Sequence, residues 1–205
     1  MNAQTWWYLT RASGVVAWLM LTASVIWGVV LSTKAFPEQR RPAWLLDLHR
    51  WLGGLTMSFL AIHLASLVAD SYVHFDVVDL MVPFSSSWKP GAVAFGVIAM
   101  WLLAAVEATS LAMRKLPRRV WRQIHLMSYV AFWLTSIHAA LAGSDRSEWL
   151  YQGTAVASIA AVGWALMYRL SHQKASRPPR PGPGTDVRSK DGTLVAPGPR
   201  RSGVR

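Results

Sequence analysis

The 205-residue sequence contains no cysteine. Thiolates ligate iron–sulfur clusters, form disulfides, and anchor c-type haem through a Cys-x-x-Cys-His motif. The absence of cysteine therefore excludes these three kinds of site. The sequence also has no Gly-x-Gly-x-x-Gly fingerprint and no P-loop, so it shows no motif for binding a nicotinamide or a flavin. We expect any such group to belong to another molecule.

Charge is scarce over long stretches of the chain. Residues 12–32 and 149–168 contain no charged side chain, and further apolar blocks cover residues 44–69, 92–113 and 120–142. Each block approaches or exceeds the roughly 20 residues that cross a bilayer, where helices satisfy every backbone group internally. The sequence therefore predicts an all-α integral membrane bundle of about five transmembrane helices. The first block is interpreted as a retained span, because no basic segment precedes it.

The net charge of +11 is distributed unevenly. Lys and Arg number four in residues 32–50, five in 113–122 and nine from residue 169 onward, but one each in 70–90 and 143–148. Basic loops stay on the cytoplasmic side of a membrane. We therefore expect a multi-pass plasma-membrane protein, interpreted as bacterial, with its N-terminus outside and its C-terminus cytoplasmic. The basic charge is a topology signal and does not indicate a nucleic-acid partner.

The composition changes after Tyr168 to a segment rich in Pro, Gly and Arg. Such a segment cannot bury enough apolar surface to order itself. We predict that residues 171–205 form a disordered basic cytoplasmic tail that stays near anionic membrane lipid. Residues 1–170 are expected to form one membrane domain.

Two of the predicted spans carry a pair of histidines each. The stretch "HRWLGGLTMSFLAIH" places His49 and His63 fourteen residues apart, and "HLMSYVAFWLTSIH" places His125 and His138 thirteen apart. Ionisable residues inside membrane spans are costly and usually functional. Both spans run outward, so each contributes one histidine near the cytoplasmic end and another about 20 Å farther out, at ~1.5 Å rise per residue.

Two facing helices of this kind would offer a histidine pair at each of two depths. Each pair can supply two axial nitrogens to an iron held between the helices, which predicts two non-covalent haems b. The rotation of side chains around a helix axis adds a condition. At about 100° per residue, side chains fourteen residues apart point within about 40° of the same direction, but side chains thirteen residues apart differ by about 140°. The second span must be distorted, or its two haems must be rotated differently about its axis. Zinc and copper are rival metals, but the pairs lack the further ligands of a four-coordinate site.

Five other side-chain positions near the histidines have two interpretations each. Arg50 and Arg122 could pair with haem propionates, or could extend to the cytoplasmic interface as topology markers. Gly53 and Gly54 could make room for a porphyrin, or could let helices approach closely. Glu107, the one carboxylate in the apolar core of a span, could relay protons to a quinone, or could contact the basic loop.

The segments "LDLHRWLGG…AIH" and "TSLAMRKLPRRVWRQIHLMSYVAFWLTSIH" resemble the ferric reductase-like transmembrane domain. The matching features are Thr109-Ser110 at the end of the third span, the basic loop, Trp121 before His125, Tyr129 after it, and both histidine pairs. This family includes the membrane parts of ferric-chelate reductases and NADPH oxidases, and the haem subunit of bacterial methionine-sulfoxide reductase systems. The resemblance covers about residues 10–170.

The resemblance implies that His49, His63, His125 and His138 are the haem ligands. It implies a membrane cytochrome b, an oxidoreductase electron-transfer subunit that is incomplete without a flavin-containing partner. Electrons would enter from a cytoplasmic flavin reductase or flavoprotein and leave to an outer acceptor: a ferric chelate, oxygen or a partner reductase. Two alternatives stay open, a quinone-linked cytochrome b subunit and a non-catalytic haem-binding anchor or sensor.

Overall fold

A computed structural model describes residues 3–33, 42–70, 75–144 and 147–175. These residues form six α-helices: α1 (Ala3–Ser32), α2 (Trp44–Ala69), α3 (Val77–Met81), α4 (Pro90–Leu111), α5 (Arg118–Ala142) and α6 (Trp149–Ala175). All except the short α3 are long and apolar enough to cross a membrane. The predicted all-α bundle with five transmembrane helices is confirmed.

The first and last helices extend furthest beyond the apolar blocks that predicted them. The first predicted span begins at residue 12, but α1 begins at Ala3. Arg11 lies just before the apolar block yet inside the helix, and its half-buried guanidinium lies 4.0 Å from the centre of the Trp7 ring. At the other end of the chain, α6 continues to Ala175, into the segment assigned to the tail. The rest of that predicted tail, residues 176–205, lies outside the described residues.

The bundle is built from two antiparallel hairpins. Helix α1 packs along α2, and α4 packs along α5, while α1 also packs against α5 and α6. The connection between α4 and α5, residues 112–117, contains Arg114 and Lys115, and we call the end of the bundle where it lies the basic end. The opposite end, where α1 begins and α2 ends, is the far end. Each hairpin thus contributes one histidine-bearing helix, α2 or α5.

The core at mid-depth is apolar and closely packed. It is formed by side chains from α1, α4, α5 and α6, among which Phe132 and Val162 are fully enclosed. A buried polar contact lies beside it, where Trp18 Nε1 donates to Ser136 Oγ at 3.1 Å and ties α1 to α5. Large apolar side chains cover the outside of the bundle, as expected of a surface that faces lipid.

The segment between α2 and α4 covers the far end of the bundle. Phe75 and Leu80 are buried and pack against apolar side chains of α4. Lys89, immediately before α4, reaches across the far end and donates from Nζ to the Leu141 carbonyl at 3.2 Å. This carbonyl lies in the last turn of α5, where helical carbonyls lack intrahelical partners. The contact ties the start of α4 to the end of α5, which lie side by side at the far end of the bundle.

Candidate cofactor site

The two histidines toward the far end, His63 and His138, form hydrogen bonds to the neighbouring helix of their own hairpin. His63 Nδ1 lies 2.8 Å from the Thr10 carbonyl oxygen on α1, and His138 Nδ1 lies 2.7 Å from the Ala92 carbonyl oxygen on α4. A carbonyl can only accept, so each Nδ1 carries the hydrogen and each Nε2 keeps its lone pair. Histidines that ligate a metal are commonly oriented in this way by a hydrogen bond from the other nitrogen.

The two histidines toward the basic end, His49 and His125, repeat this arrangement with serine hydroxyls. His49 Nδ1 lies 3.4 Å from Ser24 Oγ, and His125 Nδ1 lies 3.3 Å from Ser110 Oγ. Ser110 donates its own hydrogen to the Val106 carbonyl at 2.7 Å. Its oxygen therefore accepts from His125 Nδ1, because a hydroxyl has one hydrogen to donate. In all four histidines the polar contact uses Nδ1, and for His63, His125 and His138 the acceptor on the other side leaves the Nε2 lone pair for a ligand.

Three of the four imidazole rings lie directly over a glycine of the neighbouring helix. A Cβ atom at Gly96 would lie 2.8 Å from His138 Nδ1, and one at Gly14 would lie 3.0 Å from the same atom of His63. At Gly28 the Cβ would lie 3.2 Å from His49 Cε1. These distances are shorter than the ~3.5 Å of normal carbon contacts. The rings therefore occupy space that only a glycine leaves open.

The small residues under the rings have the same spacing as the histidines they contact in the first hairpin, and a spacing one residue longer in the second. Gly14 and Gly28 are fourteen residues apart on α1, and Gly96 and Ser110 are fourteen apart on α4. Because each hairpin is antiparallel, this spacing puts one small residue under each histidine of the adjacent helix. From the sequence, only Gly53 and Gly54 were considered as glycines that could make room beside the histidines. The fourteen-residue interval between small residues, which occurs in the first span and again in the third, was the signal that could have identified the small residues under the rings.

The two histidine-bearing helices are separated rather than packed together. Within the described residues, α2 and α5 make almost no direct backbone contact, since each lies against its own hairpin partner. The rings of His49 and His125 nevertheless approach each other, with centroids 5.9 Å apart and planes inclined at 73°. Two imidazoles bound to one metal from opposite sides, at about 2 Å each, have ring centres roughly 6 Å apart. The separation of this basic-end pair therefore suits a shared metal ion.

The far-end pair, His63 and His138, lines a cavity of about 400 Å³. Its wall is mostly apolar and includes Gly14 and Gly96 beneath the two rings, with Arg11 among the few polar groups. Cofactor pockets typically measure about 300–1,000 Å³ and combine an apolar wall with a few placed polar groups. The cavity has the size and the lining of a cofactor site.

The donor set at each level distinguishes between classes of metal site. Among the described residues, no three His, Asp or Glu side chains come together in a group that could hold a metal ion. Each level therefore offers two imidazoles, which is too few for tetrahedral zinc. Two nitrogens are what haem iron needs from the protein when both axial positions are filled. The side chains present fit a haem better than a bare metal ion.

The structure places both predicted arginines on the exposed surface of their helices. Arg50 is exposed on α2 and forms an ion pair with Asp47, with Nη1 and Oδ1 3.2 Å apart. Arg122 is exposed on α5. Both positions are typical of basic side chains at a membrane interface. Their predicted contact with propionates stays a prediction.

Gly53, Gly54 and Glu107 lie one to two turns from the basic-end pair. A Cβ atom at Gly53 would lie 3.2 Å from Glu107 Oε2, so this glycine allows the carboxylate of α4 to approach α2. Gly54 has no neighbouring atom within 4 Å of such a Cβ. The close helix approach predicted for these glycines therefore applies to Gly53.

The rotation problem posed by the thirteen-residue interval is resolved without a break in the helix. Helix α5 is continuous from Arg118 to Ala142 and contains no 3₁₀ or π segment. Both of its histidines nevertheless contact α4, His125 through Ser110 and His138 through Ala92. The thirteen-residue interval therefore does not require a break in α5.

Two groups beside His125 make contacts that were not predicted from the sequence. Trp121 stacks on the His125 ring, with centroids 5.1 Å apart, and its Nε1 is buried without a hydrogen-bond partner among the residues that the structure describes. Arg169 of α6 turns inward and donates to the Tyr129 hydroxyl. It was counted only as one of the basic residues near the tail.

A comparison with protein families gives one match. The model of the family described as "Ferric reductase like transmembrane component" matches residues 13–136, which is more than half of the chain. The matched region extends from α1 into α5 and contains His49, His63 and His125, and it ends two residues before His138. No curated protein and no solved structure matches the chain.

Proposed function

Because the chain belongs to the ferric reductase-like transmembrane family, we propose that it carries electrons across the plasma membrane through two haems b. A membrane electron-transfer role is what this family supports in general, and the family is typically haem-binding. The observation that carries the more specific proposal is the common geometry of the four histidines. They form two pairs at two depths, and each makes its polar contact through Nδ1.

In this proposal His49 and His125 bind one haem, and His63 and His138 bind the other. A bound haem supplies one-electron chemistry, and the protein supplies orientation and insulation. The hydrogen bonds at Nδ1 hold His63, His125 and His138 in the tautomer that exposes the Nε2 lone pair. The glycines beneath the rings give the imidazoles room on the side of the neighbouring helix. The apolar core around Phe132 excludes water between the two levels.

The charge distribution sets the proposed direction of transfer. Basic residues concentrate at one end of the bundle, so this end faces the cytoplasm. Electrons enter at the basic-end pair from a reduced flavin, delivered by a flavin reductase or a flavoprotein. They leave from the far-end pair to an outer acceptor, for which a ferric chelate, oxygen and a partner reductase are the candidates. The chain is then the membrane subunit of an oxidoreductase.

The entry step can be tested with purified protein and stopped-flow haem absorbance. NADH or NADPH alone should leave the haems oxidised, since these 205 residues contain no nicotinamide-binding fingerprint. Adding a flavin reductase and free flavin should reduce them. The His49→Ala variant, which lacks the proposed entry haem, should be reduced more slowly by the same mixture. Rapid reduction by a nicotinamide alone would contradict the proposal.

One observation favours a second candidate, a quinone-linked cytochrome b. Glu107 is a half-buried carboxylate inside the span, held against Gly53 near the basic-end pair. Oxidation of a quinol releases protons, and a carboxylate in this position could accept one. Rapid reduction of the haems by a quinol, lost in Glu107→Gln and never obtained with reduced flavin, would establish this alternative. Haems that no donor reduces would instead indicate a sensor or anchor.

A further inference from the structure

An arginine lies inside the bundle at the level of the basic-end pair. Arg169 belongs to the membrane-spanning part of α6 and is half-buried. Basic side chains near the end of a span usually extend outward to the interface. Arg169 instead donates to the hydroxyl of Tyr129 on α5, and its Cζ lies 5.6 Å from the centre of that ring. It is also close enough to His125 for the two side chains to interact electrostatically.

A second hydrogen-bond donor lies on the other side of the same histidine. Trp121 stacks on His125 at 5.1 Å between centroids, with the planes inclined by only 25°. Its Nε1 is buried and has no acceptor among the described residues. A buried N–H without an acceptor is costly, so such groups in native structures usually have a partner that the protein chain itself does not show.

These side chains form one continuous group on α5 and α6. Trp121, His125 and Tyr129 are spaced four residues apart and therefore share one face of α5. Arg169 approaches this face from α6. The indole N–H and the guanidinium can only donate, and a guanidinium has five N–H groups, of which Tyr129 can occupy only some. The group that would satisfy this set of donors is an anion with several acceptor oxygens.

We propose that Arg169 and Trp121 bind the propionate carboxylates of the haem held by the basic-end pair. This inference rests on the proposed function, because it requires a haem at His49 and His125. A carboxylate accepts two parallel bonds from a guanidinium, and such charge-assisted pairs are stronger than neutral ones. The exposed arginines of the sequence analysis, Arg50 and Arg122, remain at the interface. Arg169 is thus a positioning residue whose positive charge also favours the reduced haem.

The charge effect can be measured by redox titration of the basic-end haem alone. The full chain carrying His63→Ala, which should lack the far-end haem, provides the background. In it, Arg169→Gln should lower the midpoint potential by about 59 mV, which corresponds to a tenfold change in the one-electron reduction equilibrium. Arg169→Lys should restore most of the shift. Arg122→Gln is the matched control, because it removes an exposed charge near the same histidine, and it should change the equilibrium less than threefold.

A purely structural role for Arg169 predicts different results. If Arg169 only holds α6 against α5 through Tyr129, then Tyr129→Phe should reproduce the effect of Arg169→Gln. In our proposal Tyr129→Phe leaves the potential nearly unchanged. Trp121→Phe, which keeps the stacked ring and removes the N–H, should weaken haem retention and so gives a second test if Arg169→Gln does not fold. The midpoint of the Arg169→Lys variant gives a third.

Reconstitution with haem dimethyl ester identifies the anion. This haem has no free carboxylate, so the potentials of the His63→Ala background with and without Arg169→Gln should become nearly equal. Any one of three results would overturn the inference. The first is an equal effect of Arg169→Gln and Arg122→Gln on the midpoint potential, and the second is an equal effect of Arg169→Gln and Tyr129→Phe. The third is an effect of Arg169→Gln that persists in full with the ester. A chain without any basic-end haem would contradict the proposed function itself, and that result is visible before any variant at Arg169 is made.

Discussion

Replacing Gly96 by alanine tests whether His138 must hold its position for a haem to bind. The added Cβ would lie 2.8 Å from Nδ1, 2.9 Å from Cε1 and 3.1 Å from Cγ of the imidazole. Normal carbon contacts are about 3.5 Å, so the ring has to move away from α4 by about 0.6 Å. The Nδ1 hydrogen bond to the Ala92 carbonyl, which is also on α4, would then lengthen from 2.7 Å beyond the usual range.

The expected loss of haem affinity follows from the role of this hydrogen bond. It fixes the tautomer and the orientation of His138, and losing such an outer contact typically lowers metal affinity 10- to 100-fold. Helix propensity acts in the opposite direction, because alanine is favoured over glycine inside a helix by about 0.5–1 kcal/mol. A fall in haem content with no loss of helix would therefore come from the displaced ring.

The assay is the haem content per chain, measured by pyridine haemochrome absorbance after purification. We expect Gly96→Ala to lose most of the far-end haem, and Gly28→Ala to have a milder effect at the other level, because its Cβ would lie 3.2 Å from His49 Cε1. Gly91→Ala and Gly163→Ala are matched controls, since no atom lies within 4 Å of either added Cβ. If Gly96→Ala kept as much haem as these controls, the role assigned to His138 would be wrong.

Three further predictions concern topology, donor docking and electrostatics. In intact cells an impermeant thiol reagent should label Ser144→Cys and should not label Lys115→Cys; the reverse pattern would invert the direction of electron transfer. Neutralising Arg118 and Arg119, which are exposed at the basic end, should slow haem reduction by an acidic flavoprotein at low ionic strength. The effect should be small at high salt, because salt screens the electrostatic attraction between the two proteins. A rate loss independent of salt would argue against docking there. Glu107→Gln should raise the midpoint potential of the basic-end haem at alkaline pH, since a nearby negative charge opposes the added electron; an unchanged redox titration would place the carboxylate too far away to matter.

The fold was largely predictable because the bilayer imposes strong constraints on the sequence. Hydrophobic length identified all five spans, and α2 begins and ends at the predicted residues, 44 and 69. The predicted helix bounds were wrong where a charged side chain lies inside a helix, because charge ends an apolar block without ending the helix. Arg11 lies inside α1 because stacking on Trp7 shields its guanidinium. The short α3 is held by side chains of α4, which local sequence does not reveal.

The candidate site was predictable in part. The histidine intervals identified the chemical groups, because few other patterns put four imidazoles inside apolar spans. The hydrogen-bond partners were not predictable from α2 and α5 alone, since they depend on the register of α1 and α4. Arg169 shows the same difficulty. Its place in the sequence, near the basic tail, suggested an interface residue, and only the packing of α5 and α6 around α1 brings it to the Tyr129 hydroxyl.

The most direct test of the central claim is the haem stoichiometry of the purified chain and of two single variants. The proposal predicts about two non-covalent haems b per chain, with low-spin spectra typical of two nitrogen ligands. His63→Ala should keep one haem, His49→Ala should keep one, and redox titration should show that the two variants keep different haems. A wild-type chain without haem, or two variants that both keep two haems with unchanged low-spin spectra, would contradict the four-histidine account.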